Sequence, residues 1–142
     1  MKKQKICIIG SGLTGLTTAL VLSNLNIEID LYYSKKDITR NADKRITAIS
    51  QSNFNFINEN IKIKYKNLFW PCNKINLFYE TREVISNFLN LSSDKKNLMY
   101  IFENSKYKQD IFKKIKIKKN IKLLNDKVTK LDINKNHVKT KK

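Results

Sequence analysis

A chain of 142 residues, 41% hydrophobic and 29% charged, is long enough for a domain with its own core, and this composition excludes a disordered protein. With 3 Gly, 1 Pro, 2 Cys and 1 His, collagen-like and low-complexity classes and a disulfide scaffold are excluded, and we predict no metal site. The net charge of +17 raises nucleic acid or an anionic membrane surface as partners.

The N-terminal segment has the pattern of a strand, a helix and a second strand. The apolar run Lys5–Ile9 predicts a buried parallel strand in which Cys7 is a small buried hydrophobic residue. Good helix formers over 13–24 predict a helix that packs on the sheet. Its predicted buried positions are Leu16, Ala19, Leu20 and Leu22. Alternation over 27–33 predicts the second strand, so that the segment forms one β-α-β unit.

The rest of the chain predicts further strands and two helices. We expect a polar loop over 34–44, a helix over 45–58, and irregular structure over 61–71. The candidate buried positions of the 45–58 helix are Ile46, Ile49, Phe56 and Ile57. A second helix is predicted over 104–116, with Tyr107, Ile111 and Ile115 on one face. Short strands are predicted at 74–80, 98–102, 121–124, 127–133 and 137–140.

All three glycines of the chain lie in one G-x-G-x-x-G motif between the first strand and its helix. The motif reads Gly10, Ser11, Gly12, Leu13, Thr14 and Gly15. The first glycine permits a sharp turn, the second lets a diphosphate approach the backbone, and the third lets helix and strand pack closely. Free N–H groups and the positive end of the helix dipole favour the anion. This context favours a dinucleotide site over a glycine-rich turn without a ligand.

Dinucleotide sites usually have a carboxylate at the end of the second strand, where it binds the ribose hydroxyl groups. Here that place holds Tyr33 and Ser34. The nearby acidic residues Glu28 and Asp30 come earlier in the strand, and Asp37 comes a little late. Tyr33 and Ser34 are therefore the candidate site residues at this strand end, and the carboxylate contact stays unassigned.

Several segments resemble one enzyme family. Residues 5–20 resemble the opening of FAD-dependent aromatic-ring monooxygenases, and Asp43–Ser50 is similar to the D-x-R-x-x-A-[IL]-S segment of the ubiquinone-biosynthesis hydroxylases. Residues 70–71 and 100–104 are also similar to these hydroxylases. The resemblance implies an α/β fold with a Rossmann-like, glutathione-reductase-like FAD-binding domain. Residues 1–142 would form its N-terminal part, without the substrate domain and the later, glycine-containing flavin motifs.

The resemblance also implies roles for three further residues. Arg45 would lie against the pyrophosphate or ribityl region of FAD, at the start of its helix, or else be an ordinary surface arginine. Asn104 would face the ribityl side of the flavin, or else simply cap a helix. Val128 would meet the adenine through its backbone, or else be an ordinary strand residue. No residue of this chain is implied as a catalytic nucleophile, acid or base.

The resemblance implies hydroxylation of an aromatic, ubiquinone-precursor-like substrate with NAD(P)H and O2, in which bound FAD supplies the redox chemistry. The chain would be inactive alone and would have the missing C-terminal half as a partner. Peripheral association with a membrane would suit a polyprenylated substrate. Two unpaired cysteines suit the reducing cytoplasm.

Two alternatives remain: an NAD-binding Rossmann domain and a basic nucleic-acid-binding module. Residues 1–60 carry a net charge of +3 and residues 61–142 carry +14. Only Arg40, Arg45 and Arg82 among the 29 basic residues are arginines, whereas nucleic-acid recognition favours arginine. We therefore interpret the charge mainly as compositional bias on solvated faces, and a nucleic-acid partner as the minority hypothesis.

Overall fold

The computed structural model describes residues 3–35, 44–62, 68–82, 84–132 and 137–141. The chain divides into two compact units, Met1–Arg45 with Asn104–Lys142 and the inserted Ile46–Glu103. In chain order the elements are β1 (Lys5–Ile9), α1 (Leu13–Leu22), β2 (Glu28–Tyr32), β3 (Ile46–Ser50), α2 (Gln51–Ile61), β4 (Trp70–Cys72), β5 (Lys74–Glu80), β6 (Ile85–Ser92), β7 (Met99–Glu103), α3 (Asn104–Lys116), β8 (Ile121–Leu124), β9 (Lys127–Asp132) and β10 (His137–Lys141). Most of the predicted 34–44 loop, including Asp37 and Asp43, lies outside the described residues.

The first unit is built on a parallel sheet with the strand order β1-β2-β8. Both strand pairs are parallel, and Ile29 at the centre pairs with Ile6 on one side and Ile121 on the other. α1 connects β1 to β2, and α3 leads into β8. The predicted β-α-β unit is confirmed. The order of the three parallel strands is that of half a doubly wound sheet.

The core of the first unit lies between one face of this sheet and the two helices. The fully buried side chains come from β2, α1 and α3, and they include Leu16, Ala19, Ile29, Leu31, Tyr107, Ile111 and Ile115. The Thr17 and Tyr107 hydroxyl groups are 3.0 Å apart and link α1 to α3 by a hydrogen bond. The 104–116 helix and its predicted apolar face are therefore confirmed.

The other face of the parallel sheet is open, which contradicts the prediction that β1 is buried on both faces. Cys7 is exposed, because alternate side chains of β1 point away from the helices. Lys5 and Asp30 form an ion pair of 2.9 Å on neighbouring strands of this face. The run Lys5–Ile9, which is apolar after its first residue, predicted burial on both faces, but only Ile6 and Ile8 are partly buried.

The second unit contains an antiparallel sheet with the order β3-β7-β4. Phe54 of α2 stacks on Tyr100 of β7 with ring centroids 3.6 Å apart, and its edge meets Phe69 at 5.4 Å. Phe69 in turn contacts Phe102 at 5.0 Å. Pro71 lies in β4, an edge strand, where a residue without an N–H group is tolerated.

The predicted helix over 45–58 is wrong in its first part. Residues 46–50 form β3, and α2 begins only at Gln51. The β-branched residues of this segment favour a strand, and the Ser50 side chain accepts a hydrogen bond from the Asn53 N–H group and so caps the helix. Of the predicted buried positions, Ile57 is buried, Ile49 is half-buried, and Ile46 and Phe56 are exposed.

Two antiparallel hairpins complete the fold. β5 pairs with β6 in the second unit, and β9 pairs with β10 in the first. The strands predicted at 74–80, 98–102, 121–124, 127–133 and 137–140 are confirmed to within a residue or so over the described residues. β4 and β6 were not predicted. β6 exposes every one of its side chains, so it lacks the buried face from which a strand is recognised.

Candidate functional site

The glycine motif forms the turn between β1 and α1. Gly10 has a φ of +114°, a conformation that favours glycine, and its N–H group donates to the Tyr32 carbonyl at 2.9 Å. A Cβ atom on Gly15 would overlap the Gly10 carbonyl oxygen. The first and third glycines are thus required by the fold itself, with no ligand needed to explain them.

Gly12 is different, because neither a positive φ nor a close backbone contact requires glycine there. It occupies the N-cap of α1 with extended backbone, and a Cβ atom there would meet no atom within 4 Å. No side chain caps this helix, and its first turn contains no acidic residue. The N–H groups of the first turn lack intrahelical partners, so they and the helix dipole are available to an anion. The turn therefore fits the diphosphate of a dinucleotide.

A cavity of about 440 Å³ opens beside this turn, at the carboxyl ends of the parallel strands. Its size lies within the usual range for ligand pockets, and parallel α/β sheets bind ligands at this edge. It is lined by Ile9, Gly10, Ser11, Tyr32, Tyr33, Ser34, Asn125, Asp126, Lys127 and Val128. These residues come from the ends of β1 and β2, from the turn between β8 and β9, and from the start of β9.

The structure brings five of the predicted site residues together on the cavity wall, namely Gly10, Ser11, Tyr33, Ser34 and Val128. The buried Ser11 hydroxyl accepts a hydrogen bond of 3.3 Å from the Ser34 N–H group and joins the ends of β1 and β2. The Tyr33 ring also packs on Phe112 of α3, with centroids 5.3 Å apart. The predicted residues Gly12, Leu13, Thr14 and Gly15 form the N-cap and first turn of α1 next to the cavity.

Arg45 and Asn104 do not line this cavity. They lie side by side, because the Asn104 N–H group donates to the Arg45 carbonyl at 3.1 Å. Asn104 is buried and begins α3, whereas Arg45 precedes strand β3 and not a helix. The predicted position of Arg45 at a helix start is therefore wrong, since the residues that follow it pair with β7. The proposed contacts of both side chains with FAD remain predictions.

Five cavity residues were not predicted from the sequence: Ile9, Tyr32, Asn125, Asp126 and Lys127. Their signal is topological, because the carboxyl ends of parallel strands meet at one edge of a sheet. Once β8 is placed beside β2, the residues that follow β8 must lie beside the glycine turn.

Burial raises the pKa of Tyr32 above its usual 10.0, and the charges of Cys7, Asp30 and Asp126 raise it further, so its hydroxyl stays protonated at neutral pH.

A second cavity, of about 410 Å³, opens at the opposite edge of the same sheet. Its lining contains Lys3, Lys5, Glu28, Ile29, Asp30, Lys119, Asn120 and Lys122. Two of its charges, Lys5 and Asp30, already neutralise each other. The Asn120 amide donates to the Ser23 and Ile27 carbonyls at 3.0 Å, so it serves the fold.

Within the described ranges, no group of three His, Cys, Asp or Glu side chains is arranged to hold a metal ion. In those same ranges no helix combines the length and the apolar character required to span a bilayer.

No protein-family model and no curated protein matches this sequence.

Solved structures do share its fold. Pseudomonas aeruginosa PqsL in complex with 2-aminobenzoylacetate superposes with a TM-score of 0.73 at 8% identity over 96% of this chain. 2,6-Dihydroxypyridine-3-hydroxylase from Arthrobacter nicotinovorans superposes with a TM-score of 0.66 at 12% identity over 98% of this chain. p-Nitrophenol 4-monooxygenase PnpA from Pseudomonas putida DLL-E4 superposes with a TM-score of 0.60 at 14% identity over 93% of this chain. The chain spans 38%, 33% and 34% of these proteins. It thus has a mixed α/β fold with a parallel sheet that recurs in enzymes named as hydroxylases and monooxygenases.

Proposed function

We propose that this chain is the FAD-binding portion of a flavin-dependent monooxygenase that hydroxylates an aromatic substrate. The observation that carries the proposal is the open space at Gly12, at the uncapped start of α1 and next to the 440 Å³ cavity. The fold shared with a hydroxylase and a monooxygenase supports the same class of enzyme.

In this proposal the chain's own groups bind and orient the cofactor. The N–H groups of Leu13, Thr14 and Gly15 bind its diphosphate, and the backbone of Val128 meets the adenine. Arg45 and Asn104 lie near the ribityl chain. Bound FAD supplies the redox chemistry that activates O2. None of the chain's residues has to act as nucleophile, acid or base.

The finer assignments rest on the sequence resemblance. They are a glutathione-reductase-like FAD domain, a ubiquinone-precursor-like phenol as substrate, and NAD(P)H as the reductant. Because the chain spans about a third of the solved structures it matches, a C-terminal portion of the enzyme would supply the remaining cavity walls. The chain would work in the cytoplasm, at a membrane surface if the substrate is polyprenylated.

Titration of the purified chain with FAD, followed by flavin fluorescence, tests this function. Gly12→Asp should weaken binding by about 10- to 1,000-fold, since a carboxylate about 4 Å from the diphosphate costs about 1–4 kcal/mol. Its fold should survive, because Asp is a favoured N-cap residue and no atom occupies the space. Asn55→Asp adds the same charge on the exposed side of α2 and should leave binding unchanged.

If the wild-type chain leaves flavin fluorescence unchanged, both alone and when co-expressed with a C-terminal portion of the enzyme, the result would count against the proposal.

A plain NAD-binding domain is the second candidate, because the cavity walls described here would suit the adenosine diphosphate half that FAD and NAD share. Comparison of the thermal shifts produced by FAD and NAD separates the two: a larger stabilisation by NAD would favour the second candidate.

A further inference from the structure

The end of β2 offers no carboxylate to a ribose. Asp30 is paired with Lys5 at 2.9 Å, and Glu28 lines the cavity at the opposite edge of the sheet. The next residues, Tyr33 and Ser34, bring an aromatic ring that packs on α3 and a short hydroxyl group. A dinucleotide bound at the glycine turn would therefore find no negatively charged acceptor on β2 for its ribose hydroxyl groups.

The turn after β8 brings a carboxylate to the same cavity. The Tyr33 N–H group donates to the Leu124 carbonyl at 2.9 Å, and the Lys35 N–H group donates to the Asn125 side-chain oxygen at 3.1 Å. These two bonds hold the turn against the end of β2. Asp126, the next residue, is half-buried and lines the cavity together with Gly10 and Ser11.

Asp126 is the acidic residue among the side chains that line this cavity. Across the part of the chain that the structure describes, no group donates a hydrogen bond to its carboxylate and no cation pairs with it. Tyr32, whose pKa is raised mainly by burial and in smaller part by the Asp126 charge, lines the same cavity. A half-buried carboxylate that has no partner among the described residues is available to a ligand.

We propose that Asp126 binds the hydroxyl groups of the adenosine ribose, in place of the carboxylate that such sites usually have at the end of the second strand. The inference rests on the proposed function, because it assumes a diphosphate at the glycine turn. The ribose of such a ligand lies between its diphosphate and its adenine, and Asp126 lines the same cavity as the glycine turn and Val128. A carboxylate accepts hydrogen bonds from both hydroxyl groups of a ribose, and charged acceptors form the stronger bonds.

Calorimetric titration with ADP and with 2′,3′-dideoxy-ADP tests the proposal on the purified chain. The wild-type chain should bind ADP about tenfold or more tightly than the dideoxy analogue, the usual difference for hydrogen bonds to a charged group. Asp126→Asn should lose most of this preference by weakening the binding of ADP, with little effect on the analogue. Asp94→Asn, the same change at an exposed residue of the second unit, should behave as wild type.

Each other outcome is decisive. Equal binding of ADP and the dideoxy analogue by the wild-type chain would overturn the role of Asp126 and leave the proposed function standing. The same holds if Asp126→Asn keeps the wild-type preference. If ADP binds neither to the wild-type chain alone nor to the chain co-expressed with a C-terminal portion of the enzyme, the proposed function and the role of Asp126 fall together. Gly12→Asp should weaken both nucleotides equally, which identifies loss of the diphosphate contact.

Discussion

The three glycines of the turn meet three different steric requirements. Gly10 adopts a positive φ, a Cβ atom on Gly15 would overlap the backbone of Gly10, and a Cβ atom on Gly12 would meet no atom of the described residues within 4 Å. The fold explains the first and third. For Gly12 the structure gives no reason within the chain, so a ligand that approaches the backbone is the physical explanation that fits.

This distinction predicts that Gly15→Ala destabilises the chain. Ala is about 1 kcal/mol better than Gly inside a helix, but the overlap of its Cβ with the Gly10 carbonyl oxygen acts against this gain. Overpacking costs about 1–3 kcal/mol, and a backbone oxygen cannot rotate away as a side chain does. We expect a net loss, measured as a lower free energy of unfolding in urea.

Gly12→Ser is the matched control for this experiment. Its side chain enters open space, and Ser is a favoured N-cap residue, so the free energy of unfolding should stay within about 0.5 kcal/mol of wild type. If Gly15→Ala proves as stable as Gly12→Ser, the close contact between α1 and the turn does not exist.

At the scale of elements, α1 and α3 are linked by the hydrogen bond between Thr17 and Tyr107, and Tyr107 is 2% exposed. Tyr107→Phe should lower the free energy of unfolding by about 1 kcal/mol at neutral pH, because the Thr17 hydroxyl loses its partner. A double-mutant cycle with Thr17→Val isolates this bond from other effects of either substitution. Additive losses in the cycle would show that the two hydroxyl groups do not interact.

The same residue predicts an alkaline effect. Burial raises the pKa of Tyr107 above its usual 10.0, against a smaller lowering by the Thr17 hydrogen bond. The unfolded chain therefore releases this proton at a lower pH than the folded chain, so the stability contributed is complete below about pH 10 and is lost as the pH rises further. The difference in unfolding free energy between wild type and Tyr107→Phe should shrink above pH 10, and a constant difference would contradict the raised pKa.

The junction of β3 and α2 gives a prediction about capping. Ser50→Ala should cost about 1 kcal/mol, since the Asn53 N–H group loses its acceptor, while Ser50→Asn restores most of the loss. Ser52→Ala, which removes a hydroxyl group 2.9 Å from that of Ser50, is the control and should cost less. Urea denaturation measures both, and equal losses would place the helix start elsewhere.

The sequence predicted helices and strands well where one face of the helix or strand is buried. α3 has its apolar residues at helical spacing and was predicted with its observed bounds. The 46–50 segment was misassigned because Ile46 and Ile49 are also spaced as on one face of a helix, whereas pairing with β7, about 50 residues further on, makes the segment a strand. β6 carries no alternation, since both of its faces are exposed.

At the scale of the whole molecule, an antiparallel unit is inserted between β2 and α3 of the parallel one. Local patterns contain no information about this insertion, because the pair Ile46 and Glu103 that closes it is far apart in sequence. Two parts of the site could be predicted from the G-x-G-x-x-G motif: the glycine turn itself and the end of β2, the next strand in the chain. Asp126 was not, because its place depends on which strand lies next to β2.

The net charge of +17 is a property of the whole surface. Lysines are concentrated after residue 60, and four lysines from both ends of the chain line the cavity at the opposite edge of the sheet from the glycine turn, namely Lys3, Lys5, Lys119 and Lys122. An anion attracted by charge alone would bind at such lysines, whereas a dinucleotide recognised by the fold would bind at the turn. The location of a bound nucleotide therefore separates the two explanations.

The most direct test of the central claim is the amide NMR spectrum of the 15N-labelled chain during titration with ADP. We expect saturable shifts at the amides of Gly12 to Gly15, with further shifts at Ser34 and Asp126. Shifts confined to Lys3, Lys119 and Lys122, or no saturable shift in the glycine turn, would contradict the account of this turn as a diphosphate-binding site.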